Sequence, residues 1–194
     1  MASADKKKEK ADKVKKDLPD KGIETMFRVS SSNHQRLSDM ADNKANIMIT
    51  VNAIILSAVI SLLVRRLEDQ PYLTLPTLLL ITISLVAMVF AILSTRPNIP
   101  PGTFAPQDVD DNKVNLLFFG NFYKMNLPDY KAAMLKTMED RDMLYGNLIM
   151  DGYSQGVVLG KKYRLLRLSY NIFMFGLIAS VMAFFIAALL NVKH

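Results

Sequence analysis

Apolar and charged positions fall into long separate blocks along this chain instead of alternating at the short periods of a soluble fold. Residues 45–64 (ANIMITVNAIILSAVISLLV) carry no charge, and as an α-helix they cover about 30 Å, the thickness of the hydrocarbon layer. Residues 73–95 (LTLPTLLLITISLVAMVFAILST) form a second charge-free run, with Pro76 in the first turn, where a missing amide hydrogen costs little. Residues 170–190 (YNIFMFGLIASVMAFFIAALL) form the third. The pattern predicts an all-α integral membrane protein with about three transmembrane helices, 45–64, 73–95 and 170–190, and a helical cytoplasmic segment, 96–169, between the second and third.

The polar remainder divides further. Residues 1–22 mix lysine with acidic residues and have almost no large apolar side chain to offset the entropy of ordering. They read as a disordered basic tail, either purely solubilising or in contact with anionic lipid. Residues 23–44 turn helical and lead into the first run. Arg96-Pro97 and the following loop, with Pro100, Pro101, Gly102 and Pro106, stop the second helix. Residues 126–129 form a helix start, with Pro128 in the first turn and Asp129 at the positive end of the dipole. Leu127, Tyr130, Met134, Met138, Tyr145 and Ile149 then recur at helical spacing, predicting one apolar stripe packed on neighbouring helices. Glu139, Asp140 and Asp142, around Arg141, read as a solvated helix face. Lys161, Lys162, Arg164 and Arg167 stand just before the third run, as an anchor for lipid headgroups or as contacts for a phosphate-bearing ligand.

Charge sets the orientation. The 24 Lys and Arg against 18 Asp and Glu give a net charge of +6, which alone suits nucleic acid, an acidic partner or an anionic membrane; the long apolar runs select the lipid bilayer and argue against nucleic acid. Residues 1–44 hold eleven Lys and Arg, 96–169 hold ten, the 65–72 connection two and the C-terminal stub one. Basic residues are retained in the cytoplasm, so the N-terminus and the central segment are expected inside, Arg65 and Arg66 snorkelling to the outer interface. The first 22 residues lack the apolar core of a cleavable signal, which leaves targeting to an internal span.

Chemistry for catalysis is not evident. There is no cysteine, hence no disulfide and no thiolate ligand, and the two histidines, His34 and His194, do not make a metal site or a triad. No phosphate-cradling glycine loop occurs. No enzyme activity, catalytic residue, metal or cofactor is expected.

The first run has a distinct side. At about 100° per residue, Asp39, Asp42, Asn43, Asn46, Thr50, Ala53, Ser57 and Ser61 share a sector of roughly 100°, opposite Met48, Val51, Ile55, Val59 and Leu62. Two readings stay open: the face packs three helices within one subunit, or it lines a homo-oligomeric pore, with Asp39, Asp42, Asn43, Asn46, Thr50, Ser57 and Ser61 along it. Asn52 lies off this face and marks a second contact. Thr77, Ser84, Ala91 and Thr95 repeat the theme in the second run, and Ala179, Ala183 and Ala187 form a small-residue seam in the third.

The strings LSDMADNKANIMITVNAIILSAVISLLV, NLLFFGNFYKM and DRDMLYGNLIMDGYSQGVVLGKKYRLLRLSYNIFMFG, in this order and over 36–190, resemble the transmembrane Pycsar effector family. The resemblance implies a multi-pass protein of the bacterial inner membrane acting in antiphage defence. It implies activation by a cyclic pyrimidine nucleotide, cyclic UMP or cyclic CMP, made by a partner pyrimidine nucleotide cyclase, followed by impairment of the membrane, with a homo-oligomer as the working form. Residues 96–169 read as loop and helix, not as the strand-rich barrel of familiar cyclic-nucleotide receptors. The signal therefore enters through this segment in another way, through a partner, or from another trigger. The alternative from the residues themselves is a non-enzymatic membrane scaffold that docks a cytoplasmic partner.

Overall fold

A computed structural model describes residues 20–63, 66–97 and 114–192. Expectations for the tail up to residue 19, Arg65, the loop at 98–108 and His194 lie outside these residues. The described residues contain helices and turns and no strand. We name the helices α1 (Asp20–Ala58), α2 (Thr74–Thr95), α3 (Phe119–Phe122), α4 (Leu127–Glu139) and α5 (Arg141–Val192). Three stretches, Lys21–Leu62, Pro71–Thr95 and Arg141–Asn191, are long and apolar enough to cross a membrane. The polar helix expected at 23–44 and the first apolar run are one continuous helix, which already starts at Asp20. The third apolar run is likewise the second half of α5.

The chain divides into two compact units. An apolar unit comprises Arg36–Pro101 and Gly156–His194, and a polar unit comprises Met1–Gln35 and Gly102–Gln155.

In the apolar unit α1, α2 and α5 meet along seams spaced alternately three and four residues apart, the register of left-handed helix packing. On α1 the seam is Ala41, Ala45, Met48, Asn52, Ile55 and Val59; all are buried except the half-buried Ile55. On α2 it is Thr77, Leu80, Ser84, Ala87, Ala91 and Ser94, with only Leu80 half-buried. On α5 it is Lys162, Leu166, Ser169, Phe173, Gly176 and Ser180. Ala41, Ala45, Met48, Ala91 and Leu166 form the core, with Ile49, Tyr163 and Phe173 packed on it. Small side chains bring the backbones close enough for the Ser169 hydroxyl to donate to the Ala87 carbonyl at 2.7 Å. Gly176 lies so near Ile83 that a Cβ there would collide with its Cγ2. Ala179 of the expected alanine seam is exposed, because the register places the contact through Gly176 and Ser180 instead. Past Ala58, α1 widens into a π-helical turn, Val59–Leu63, that keeps Val59 buried.

The polar unit is held by local caps and one hydrogen-bond network. The helix start anticipated at 126–129 is that of α4, and Asn126 caps it, its Oδ1 accepting from the Asp129 amide at 2.9 Å and its Nδ2 donating to Asp129 Oδ2 at 2.7 Å. Asp140 ends α4 in an extended conformation. It also starts α5, its Oδ1 accepting from the amides of Asp142 at 2.9 Å and Met143 at 3.2 Å. The acidic group is therefore a helix boundary and not a continuous face. That break also splits the predicted stripe: Leu127, Met138 and Ile149 are exposed, and α4 buries Ala133 and Thr137 instead. Val114, Leu116 and Ala133 form a small core with Met125 and Met134 against it. Asn147 of α5 accepts the Leu116 amide at 3.0 Å, Asn115 donates to Asp151 at 3.0 Å, and Asn121 donates to the Asn115 carbonyl at 2.8 Å. Phe27 stacks on Tyr145, with ring centroids 6.4 Å apart.

Gly176→Ala is expected to cost about 1–3 kcal/mol by overpacking against Ile83, and Gly176→Leu to prevent assembly of the three-helix unit. Thermal melts followed by circular dichroism in detergent check this, with Ala179→Leu as the tolerated control. Asn147→Ala leaves the buried Leu116 amide without its acceptor and costs about 1–3 kcal/mol. Faster hydrogen exchange of that amide reports it.

Candidate functional site

The polar face of α1 points away from the core of its own unit. Asp39, Asn43, Asn46, Thr50, Ala53, Ser57 and Ser61 are exposed, and Asp42 is half-buried at the edge of the face. The buried Ala41, Ala45, Met48, Asn52 and Val59 lie about 140° around the helix from the middle of that face. Packing within the subunit thus uses mainly the other side of the helix, with Asp42 at the edge of the polar face as an exception. On α2 the opposite holds: Thr77, Ser84 and Ala91 are buried, so its small polar face is a packing face. Ile49, Thr50, Ala53, Ile54, Ser57, Ala58, Ser61 and Leu62 form a shallow open groove along the exposed side of α1.

Asn52 is the second contact anticipated off the stripe, and that contact lies inside the subunit. It is fully buried; its Nδ2 donates to the Met48 carbonyl at 2.8 Å and lies 3.2 Å from Met48 Sδ. Among the described residues its Oδ1 has no hydrogen-bond partner, and neither have the buried hydroxyls of Ser84 and Ser180. Each of the three seams therefore holds one unmatched polar group, and such groups are costly in an apolar surrounding.

At the charged end of the seams the basic cluster divides. Lys161, Arg164 and Arg167 are exposed. Lys162 turns into the unit, where its Nζ donates to Asp42 Oδ1 at 2.9 Å, Asp42 Oδ2 at 2.8 Å and Ser38 Oγ at 2.9 Å. Two tyrosines of α5 hold the same stretch of α1: Tyr163 donates to the Leu37 carbonyl at 3.2 Å and Tyr170 to the Lys44 carbonyl at 3.3 Å. Two residues named separately from the sequence, Asp42 for the polar face and Lys162 for phosphate or lipid, are thus each other's partner. Ser38 and the two tyrosines are additions that sequence reasoning missed; the signal that could have found the α5 side is the 4-3 spacing of Lys162, Leu166 and Ser169. Among the described residues no group of His, Asp and Glu is arranged to hold a metal ion.

The sequence profile of the Pycsar effector protein domain matches residues 25–189, which takes in all three apolar helices, the Lys162 contact and both units. The chain belongs to the Pycsar effector family. It is accordingly a membrane protein and an effector of cyclic-nucleotide-signalled antiphage defence. The Pycsar domain begins eleven residues before Arg36, where the resemblance read from the strings starts, and so includes Phe27, which stacks on Tyr145. No curated protein and no solved structure matches the chain.

The two sides of α1 are separable by thiol labelling, because the chain has no cysteine of its own. Thr50→Cys and Ser57→Cys in detergent-solubilised protein are expected to react fully with a maleimide, and Asn52→Cys only after denaturation. Equal protection at positions 50 and 52 would show that the polar face is covered, within the subunit or by a second copy.

Proposed function

We propose that this effector crosses the bacterial inner membrane three times, with its N-terminus and central segment in the cytoplasm, and that a cyclic pyrimidine nucleotide, cyclic UMP or cyclic CMP, switches it to a state that breaches the membrane. A pyrimidine nucleotide cyclase is the partner that supplies the signal. The observation that carries the reading is the exposed polar face of α1, Asn46, Thr50, Ser57 and Ser61, on a helix long and apolar enough to span the bilayer. Amide and hydroxyl groups do not face lipid chains at such depth without a partner or water. Copies of the chain that turn this face toward a common axis cover it from lipid and give water a path, with Asp39, Asp42 and Asn43 at its cytoplasmic mouth. The distribution of Lys and Arg supports the orientation. The exposed Lys161, Arg164 and Arg167 then lie at the inner interface, suited to anionic headgroups.

Expression with a uridylate or cytidylate cyclase, followed by propidium iodide entry, tests the reading. Leakage is expected only when active cyclase is present. Asn46→Leu, Thr50→Leu and Ser57→Leu together should leave the protein folded and membrane-inserted while abolishing leakage. Confirmed cyclic nucleotide with neither leakage nor growth arrest would sink the proposal, and a triple variant that no longer folds would favour a scaffold whose polar face serves packing.

A further inference from the structure

We infer that the contact of Lys162 with Asp42 and Ser38 is an autoinhibitory latch that holds the effector in its silent state. This inference rests on the membrane-breaching reading above and names the device that restrains it.

The geometry places the latch where it can act. Asp42 is the edge residue of the polar face of α1, and Lys162 belongs to the seam of α5. Both carboxylate oxygens of Asp42 accept from the one ammonium, and Ser38 takes a further proton of it. Three donors on one cation match three acceptors spread over one turn of α1, so the contact fixes rotation of α1 about its axis as well as distance. The Asp42 side chain is 37% exposed and that of Lys162 18%, which leaves the pair within reach of water at the charged end and able to separate without stranding a bare charge. Separation returns the carboxylate of Asp42 to the polar face beside Asp39 and Asn43, and it adds an ammonium to the exposed cations Lys161, Arg164 and Arg167.

A second, independent observation gives the latch something to restrain. The seams beyond it enclose the unpaired Asn52 Oδ1, Ser84 hydroxyl and Ser180 hydroxyl, one on each helix. Two hydroxyl donors and one amide acceptor without partners are a packing held below its hydrogen-bonding optimum. A different rotation of the three helices has these bonds to gain, whereas the observed one has the Lys162 contact and the two tyrosine bonds at the charged end. The end contacts therefore decide which rotation is kept, and a signal need only loosen them.

The test uses the full chain in cells, with propidium iodide entry read with and without the cyclase. Lys162→Met and Asp42→Asn are expected to leak without any cyclase, to the level that the wild type reaches with it. The exchanged pair Asp42→Lys with Lys162→Asp should be silent again in the absence of the cyclase. A merely structural contact would lower the amount of inserted protein and the signalled leakage and would not raise leakage in the absence of signal. Should the wild type leak with the cyclase while both single variants stay silent without it, the latch is wrong and the effector reading stands. Should the wild type stay tight with cyclic nucleotide present, the effector reading itself fails. If neither single variant accumulates in the membrane, the contact is a requirement for folding, which also overturns the latch.

Discussion

Apolar surface does not drive apolar helices together when the solvent is lipid, and the apolar unit is arranged around that constraint. Association has to come from close packing and from polar contacts between backbones and side chains. Hence the seams of α1, α2 and α5 are built from alanine, serine, threonine and glycine, with larger side chains such as Met48 and Leu166 as fillers. The 2.7 Å bond from Ser169 to the Ala87 carbonyl and the contact at Gly176 are both products of this nearness. Leucines and isoleucines, which would be inside a water-soluble bundle, are left outside: Ile54, Leu78, Leu85, Ile178 and Ile186 are all exposed.

The polar unit follows other rules, because water competes for its hydrogen bonds and rewards apolar burial. It has a conventional small core at Val114, Leu116 and Ala133, and side-chain caps at Asn126 and Asp140. Its non-helical stretch around residue 115 is stabilised by the amides of Asn115, Asn121 and Asn147 in place of a backbone ladder. Asp151 ties the network further, accepting from Asn115 at 3.0 Å and from Gln155 at 2.6 Å.

The sequence made the apolar helices legible because hydrocarbon thickness imposes a length that composition alone displays. It made the helix start at 126–129 legible because such a start is decided within about four residues. It was less informative about sides. A helical projection of α1 identifies a polar face correctly, but polarity does not say whether that face meets its own chain, a second copy or water. On α2 the small polar residues are the packing face and on α1 they are not, since α1 has alanines at 41 and 45 to pack with. The alternating spacing of three and four, present in all three helices, is the signal that distinguishes them. Pairings over long separations were beyond reach: Lys162 and Asp42 are 120 residues apart. Nothing local to either residue announces the other, and Lys162 sits among three cations that are exposed.

How polar groups are satisfied on α2 sharpens the contrast with α1. Thr77, Thr82, Ser94 and Thr95 each return their hydroxyl to a carbonyl three or four residues earlier, at 2.7–2.9 Å. Thr82 is exposed, yet its donor is engaged on its own helix, so lipid around it is tolerable. Among the described residues Thr50, Ser57 and Ser61 make no such bond. Asn46 adds an amide, which has two donors and an acceptor to place. These exposed side chains therefore differ from Thr77, Thr82, Ser94 and Thr95 of α2, whose hydroxyls are engaged on their own helix. A helix built only to anchor in lipid would use the satisfied arrangement that α2 shows is available to the same residue types. Keeping the capacity free on one continuous side, turned away from the core and starting at a charged end held by Lys162, is the arrangement of a surface that meets another polar surface or water.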